Sequence, residues 1–468
     1  ACIIGSGGGR DVLTALAAGA RQVEAVELNP YTVDAVSRVF ASYSGDPYHA
    51  PGVHAFAEEG RSHFRRSKVV CDVLQISQID TFAASAAGAY ALAENSLYTV
   101  EAIQEFWSKL SDDGVLSITR WVAGPARFES MRLVLLELEA LMRQGIADPR
   151  NYLVVTQGRS SASIMLFKRP PDAARLAQIA AAEQRRGFLR LWPIGPNDPI
   201  VNGVTYTLLH GPAELEKLGL DMSPSTDDRP FFFQTLSLSA SLLPERDGRT
   251  SQRQESVALL PRLLLIMIAV TFGLLILPFL LRGRLPHGPQ VRRGSVFFVA
   301  IGLGFMFVEI PLIQRLALYL GHPSYATTVA LGSLLLGAGL GSMLSARVPE
   351  ARRRTVVLAT ALSIAVVIIP LTGPLSAATL HWELWARVVV TAVCVSFVGL
   401  FLGMPFALGL SCFDGRERSW FWAINAAAGV LASVLALVLS IALGFQIVTL
   451  AALLCYFVAA LALPARAA

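Results

Sequence analysis

The residues best placed to do chemistry begin five positions into the chain. Gly5-Ser-Gly-Gly-Gly-Arg-Asp11 puts glycines at 5, 7 and 9, directly after the apolar run Ala1–Ile4. Gly5, Gly7 and Gly9 allow a tight turn and a close approach of backbone to ligand where a helix begins, the arrangement that cradles phosphate or nucleoside groups. Arg10 stands where a dinucleotide fingerprint has its last glycine. A glycine run alone could be a plain turn. Glu27 strengthens the reading, because an acidic residue about 20 positions on can accept hydrogen bonds from a ribose diol. Glu59 and Gly60, in Ala57-Glu-Glu-Gly-Arg61, form a second acidic turn. Glu59 is either an acceptor for an adenine amino group or a solvated surface carboxylate. A third cluster lies in Cys71-Asp-Val-Leu-Gln-Ile-Ser-Gln-Ile-Asp80, where Ser77 and Asp80 leave the end of an apolar run. Serine is a weak general base, and Ser77 has no neighbouring histidine to activate it. Asp80 is a candidate for contact with an amine, or a turn-capping aspartate.

The elements that would position these residues alternate between strand and helix. Apolar strands are expected at Ala1–Ile4, Val23–Leu28, Val53–Phe56, Asp72–Ile76 and Val115–Thr119. Helices are expected at Asp11–Gly19, Pro30–Phe40, Val100–Leu110 and Arg127–Gln144. Tyr152–Thr156 and Ser163–Phe167 read as a hairpin, and Asp172–Arg186 as a helix. Parallel βα units closed by an antiparallel hairpin predict a doubly wound, Rossmann-like α/β sheet whose ligand lies at the carboxyl ends of the strands.

Composition divides the chain. Among its 468 residues, hydrophobic types make up 54% and charged types 16%, and the charge is concentrated in the first 255. About seven apolar segments follow, near 257–281, 295–319, 324–345, 355–379, 387–411, 419–443 and 446–464. Each approaches the roughly 20 residues needed to cross a bilayer. The expected organisation is therefore an α/β domain over 1–170, an irregular extension over 171–255, and an all-α polytopic membrane domain over 256–468. The loop Ser223 to Phe233, rich in charge and aromatics, is expected where the two halves meet. The net charge of +5 is no nucleic-acid signature, since the excess lies in arginine clusters between apolar runs. Arginine-bearing loops after the first, third, fifth and seventh segments would face the cytoplasm and leave the first domain outside. Arg246, Arg249 and Arg253 argue for the opposite side, as would a cytosolic cofactor, and a cytoplasmic first domain is the expectation. Glu309 and Arg315 lie in or near an apolar span, where they mark either function or a paired kink at Pro311. Gly337 to Gly341 and Gly399 to Gly403 read as helix contacts, and Asn425 as an interhelical hydrogen bond. The five cysteines form no CxxC pair and indicate neither a disulfide framework nor a zinc site, with Cys71 a small core residue. The histidines show no ligand spacing, so no metal is expected. The chain opens directly on a core strand, which reads as a fragment.

Ile3-Ile-Gly-Ser-Gly-Gly-Gly-Arg-Asp11, Val26-Glu-Leu-Asn-Pro30, Glu59-Gly-Arg-Ser62, Asp72 to Asp80 and Leu97-Tyr-Thr99 resemble class I S-adenosylmethionine-dependent transferases. More narrowly they resemble the spermidine synthase (polyamine aminopropyltransferase) family, over about residues 1–168. The layout, with Thr226-Asp-Asp-Arg-Pro-Phe-Phe-Phe233, is similar to the bacterial branch fused to membrane helices, which implies a multi-pass protein of the inner membrane. The resemblance implies that Gly5, Gly7, Gly9, Glu27, Glu59 and Gly60 bind S-adenosylmethionine or its decarboxylated form, with Glu59 in place of the family's aspartate. Ser77 and Asp80 would stand where the soluble synthases carry two catalytic carboxylates. Glu94, Asn95, Gln75 and Tyr98 could add polar groups at the same mouth. An aminopropyl or alkyl group would pass to an amine. The alternatives are a methyltransferase acting on a lipid or membrane-delivered acceptor, and an inactive nucleoside-binding sensor or transport-coupled protein, which Ser77 favours.

Overall fold

Three residues, Cys2–Ile4, form β1, and all three are buried. A strand buried on both faces belongs in the middle of a sheet. β1 pairs in parallel with β2 (Val23–Glu27) on one side and β4 (Cys71–Ser77) on the other. In this computed structural model the described residues are 1–79, 95–122, 127–195, 198–200, 202–237, 251–281, 287–413 and 416–463. They divide into two compact units, 1–258 and 259–468.

The first unit is built on one eight-stranded sheet of order β3-β2-β1-β4-β5-β7-β6-β8. Here β3 is Val53–Ala57, β5 Leu110–Trp121, β6 Leu153–Gln157, β7 Ser161–Phe167 and β8 Leu189–Trp192. The first five strands are parallel, and β7, β6 and β8 continue the sheet antiparallel. The expected doubly wound α/β architecture is thus present, with the strand order reversing direction between β1 and β4. That reversal is the switch point at which open α/β sheets receive ligands. β8 comes from the stretch expected to be irregular and adds an edge strand.

Local chemistry sets the helix starts. Helix α1 (Arg10–Ala17) begins at Gly9, which adopts the left-handed conformation. The Asn29 side chain accepts from Tyr31 N–H at the start of α2 (Pro30–Asp34), with Pro30 in the first turn, and a π turn continues it to Val39. One turn, α3 (Ala41–Ser44), precedes β3. Glu59 caps α4 (Gly60–Arg66), and Thr99 caps α5 (Val100–Ser108). The long α6 (Arg127–Arg143) buries Met131, Leu133, Val134, Leu136, Leu138 and Leu141 against the sheet core. α7 (Ala173–Arg186) is capped by Asp172 and stopped by left-handed Gly187, and α8 (Gly203–His210) follows.

Two features go beyond the sequence expectations. The segment 220–236 is built into the first unit. Phe232, Phe233 and Leu236 belong to the core of the first unit. The Arg132 guanidinium holds the segment in place, donating to the carbonyls of Ser223, Phe231, Phe232 and Gln234 at 2.9, 2.9, 2.9 and 2.6 Å. Burial pushes this guanidinium down to about 10. Secondly, Cys71 is not an isolated core thiol, because it is disulfide-bonded to Cys2 across β1 and β4 with a Cα separation of 5.8 Å. Sixty-nine residues separate the two cysteines. Parallel pairing brings them together, and no local spacing records it.

The second unit is helical. Among the described residues, six helices are long and apolar enough to cross a membrane: Pro289–Leu320, Pro323–Ser345, Glu350–Thr379, Leu384–Leu410, Glu417–Leu443 and Phe445–Ala462. A seventh helical stretch runs unbroken from Ser251 to Leu281, with Leu260–Leu274 as its shorter apolar part. The small residues serve close packing. A Cβ on Gly341 would stand 1.8 Å from the Leu400 carbonyl oxygen, and one on Gly403 would stand 2.0 Å from that of Ala338. Two backbones therefore touch where any side chain would separate them. Asn425 Nδ2 donates to the Phe298 carbonyl of another helix at 2.9 Å. Glu309 is half-buried in the helix Pro289–Leu320.

Candidate functional site

The glycine turn is a backbone structure that only glycine fits. Gly5, Gly7 and Gly9 have φ of 75, 49 and 84°, in the left-handed region that L-residues with a Cβ avoid. Space is also short, since a Cβ on Gly9 would come 2.3 Å from Pro47 Cγ and one on Gly5 2.3 Å from Ile79 Cγ2. The turn is pinned to β2, where Gly5 N–H donates to the Val26 carbonyl at 2.8 Å. Tyr48 closes the other side, its hydroxyl 2.8 Å from Ser6 Oγ and donating to the Gly7 carbonyl at 2.5 Å. Burial is the main cause raising the Tyr48 phenol above its ordinary value, with the nearby Glu27 charge adding to it.

Glu27 ends β2 beside this turn. One carboxylate oxygen accepts Gly7 N–H and the other accepts Asn29 N–H, both at 3.0 Å. A carboxylate has about four acceptor positions, so each oxygen keeps one for a diol. The side chain is aimed by two backbone donors before any ligand arrives, which lowers the ordering cost of binding.

Glu59 is also engaged, in a different way. Its oxygens accept Arg61 N–H at 3.0 Å and Ser62 N–H at 2.7 Å, capping α4. The sequence reading weighed adenine contact against a solvated carboxylate, and the helix-capping role was in neither. Gly60 is buried against β1, with a Cβ there only 2.5 Å from Ile4 Cγ2. The turn after β3 therefore packs on the strand that leads into the glycine turn.

Ser77 ends β4, half-buried, and accepts a hydrogen bond from Gln75 Nε2 at 2.7 Å. The chain then bends sharply, for Gln78 has φ of 48° and its N–H reaches the Thr119 carbonyl at 3.3 Å. That bend lays Ile79 over Gly5. Since β1 and β4 pair Ile4 with Ile76, the glycine turn and Ser77 emerge side by side at the switch point. Asp80 and Glu94 lie outside the described residues. Asn95 N–H donates to the Pro230 carbonyl at 2.8 Å, and Tyr98 is fully buried rather than exposed at a mouth.

Sequence reasoning did not identify Arg61. Its guanidinium is fully buried and donates to Glu105 at 2.8 and 2.9 Å, to Asp227 at 2.6 and 2.8 Å, and to the Ser96 carbonyl at 2.9 Å. Thr99 Oγ1 donates to Asp227 at 2.7 Å, and Asp227 N–H donates to Glu101 at 2.9 Å. Burial opposes the guanidinium charge, but Asp227 and Glu105 outweigh it and hold Arg61 above its ordinary value. Asp227 is likewise held below the usual carboxylate range despite burial, chiefly by Arg61. A basic residue one position after the Glu59-Gly60 turn was the only signal in the sequence. One hub thus joins α4, α5 and the segment 223–230 beside the turn carrying Glu59.

A cavity of about 800 Å³, lined in part by Ala1, Arg21, Glu24 and Val70, opens at the amino-terminal ends of the strands. It lies at the opposite ends of the strands from the glycine turn, and Gln75, the donor to Ser77, reaches its lining. Among the described residues no group of three or more histidine, cysteine or acidic side chains could hold a metal ion.

No family model matches the chain, and no curated protein matches it. Solved structures do resemble it. Spermidine synthase from Thermotoga maritima is 17% identical over 37% of this chain and 55% of its own, with a TM-score of 0.28. A spermidine synthase in complex with the transition-state analogue AdoDATO is 16% identical over 46% of this chain and 67% of its own, with a TM-score of 0.29. The chain thus spans about half the length of the first of these. The fold of this chain rests on its own geometry, a mixed eight-stranded sheet followed, among the described residues, by a helical unit with six apolar candidate spans.

Proposed function

We propose that the first unit binds S-adenosylmethionine or its decarboxylated form at the carboxyl ends of β1 and β2, and transfers its aminopropyl or alkyl group to an amine. The observation that carries the reading is Glu27, aimed by Gly7 and Asn29 N–H beside a left-handed glycine turn. Glu27 would take the ribose hydroxyls, and Glu59 and Gly60 would flank the adenine. The backbone of Gly5 to Gly9 would face the sulfonium side chain. The amine nitrogen attacks the carbon bound to the sulfonium, the C–S bond breaks, and sulfur keeps the electron pair. The nitrogen loses one proton, so the site has to supply an unprotonated amine. Asp80 is the residue assigned to that proton, with Ser77 as a polar contact. The helical unit would hold the enzyme in the membrane, where a lipid-borne acceptor is also within reach.

Ser77 favours one second reading. Bonded to Gln75 and itself a weak general base, it fits a nucleoside-binding domain that senses or accompanies transport without turnover.

Calorimetric titration of the full-length protein with both donors tests these readings. The expected result is binding of the decarboxylated donor and release of methylthioadenosine when polyamine is added. Release of S-adenosylhomocysteine would point instead to methyl transfer. Binding without product across amines and lipids would leave the sensor, and failure of both donors to bind would overturn the donor reading.

A further inference from the structure

The cysteines of the two units are in different chemical states. Cys2 and Cys71 are joined and almost wholly buried, bridging the strands that carry the glycine turn and Ser77. The three cysteines outside any disulfide, Cys394, Cys412 and Cys455, all lie in the helical unit. Structural disulfides persist where the surroundings are oxidising and are rare where thiol pools stay reduced.

The arginines give an independent reading. Arg282, Arg284, Arg292 and Arg293 follow the first apolar segment, and Arg347, Arg352, Arg353 and Arg354 follow the third. Arg416 and Arg418 follow the fifth. The intervening connections, 321–322, 380–383 and residue 444, contain no lysine or arginine. Short loops rich in arginine stay on the cytoplasmic side. Both readings hold together under one condition, that the helix Ser251–Leu281 itself crosses the bilayer. Its surface fits this. Leu265, Ile266, Ile268, Phe272, Leu274 and Leu281 are 46–78% exposed, an apolar surface on every side that a lipid phase would cover.

We infer that the sheet unit stands on the oxidising, extracytoplasmic face of the membrane, with the Ser251–Leu281 helix as the span that carries it there and the Cys2–Cys71 bond closed. Arg246, Arg249, Arg253 and Arg262 lie at the outer end of this span and weigh against the placement locally; the ten arginines that follow the first, third and fifth segments, together with the buried disulfide, outweigh them. The placement does not depend on the donor reading. If that reading also holds, a transport step must precede the transfer, because a sulfonium nucleoside carries a fixed positive charge that hydrocarbon excludes.

Thiol labelling of the full chain tests the placement. Denatured without reductant, the wild-type protein is expected to take up three maleimides, and five after reduction. For sidedness, Lys217→Cys and Arg352→Cys are each introduced with Cys394, Cys412 and Cys455 changed to serine. In intact spheroplasts an impermeant maleimide is expected to label Lys217→Cys at once and Arg352→Cys only after permeabilisation. Five labels without reductant, the reverse sidedness, or the same sidedness at both positions would each overturn the inference. Donor calorimetry on solubilised protein is a separate readout, so failure of the donor reading is distinguishable from failure of the placement.

Discussion

The guanidinium of Arg61 and the carboxylate of Asp227 meet two atoms to two, at 2.6 and 2.8 Å, although 166 residues separate them. The pair joins the helix that follows the Glu59 turn to a segment near the end of the first unit. Replacing Arg61 by leucine leaves Asp227 and Glu105 facing a buried space. Breaking such a pair costs about 3–5 kcal/mol, and the partial exposure of both acids sets the expectation at about 3 kcal/mol. Arg61→Lys is expected to recover little, because one ammonium cannot serve two carboxylates with paired bonds. Thermal melting of the solubilised full chain measures both.

The same pair sets an acid limb. Asp227 has a depressed value in the folded protein. Its contribution is therefore complete above the unfolded aspartate value of about 3.9 and is lost as pH falls through the lower folded value. Melting temperature against pH is expected to drop more steeply in this range for wild type than for Arg61→Leu.

Glu137 is expected to act in the opposite sense. It is fully buried on α6, neither oxygen has a hydrogen-bond partner among the described residues, and burial raises its carboxyl well above the ordinary value. A raised carboxyl is without cost below the unfolded value of about 4.3 and increasingly destabilising as pH rises from there toward the folded value. Glu137→Leu is expected to be more stable than wild type at pH 7 by about 1–3 kcal/mol. That gain should shrink toward pH 4, and melting curves at the two pH values decide the matter.

Glu27→Gln removes the charge while keeping the shape. Hydrogen bonds to a charged acceptor are worth about 1.5–3 kcal/mol, so donor affinity is expected to fall roughly 10- to 100-fold. Gly9→Ala is expected to lose donor binding and also stability, because the new Cβ meets Pro47 in a left-handed backbone. Calorimetry and melting separate the two effects.

Ser77→Asp tests what the serine withholds. If the acceptor is an amine, a carboxylate at the end of β4 is expected to raise kcat by about 10²-fold or more, the lower end for general-base catalysis, with donor affinity unchanged. Unchanged turnover would remove Ser77 from the reaction and leave Asp80 as its sole candidate base.

The sequence by itself determined whatever repeats locally. Alternating apolar runs marked the βα order. The glycines at 5, 7 and 9 with Glu27 marked the turn, and long apolar runs marked the helical unit. These signals are legible because strand and helix periods, turn sterics and bilayer thickness act over a few to about 20 residues. Tertiary structure alone decided which distant residues share a volume. The Cys2–Cys71 bond, the Arg61 hub, the Arg132 grip on four carbonyls and the burial of Phe232 and Phe233 depend on strand order and on segments returning over the sheet. Between 69 and 166 residues separate the paired groups at the disulfide and at Arg61–Asp227. At such distances only the packing of the whole sheet, and no spacing along the chain, selects the partner.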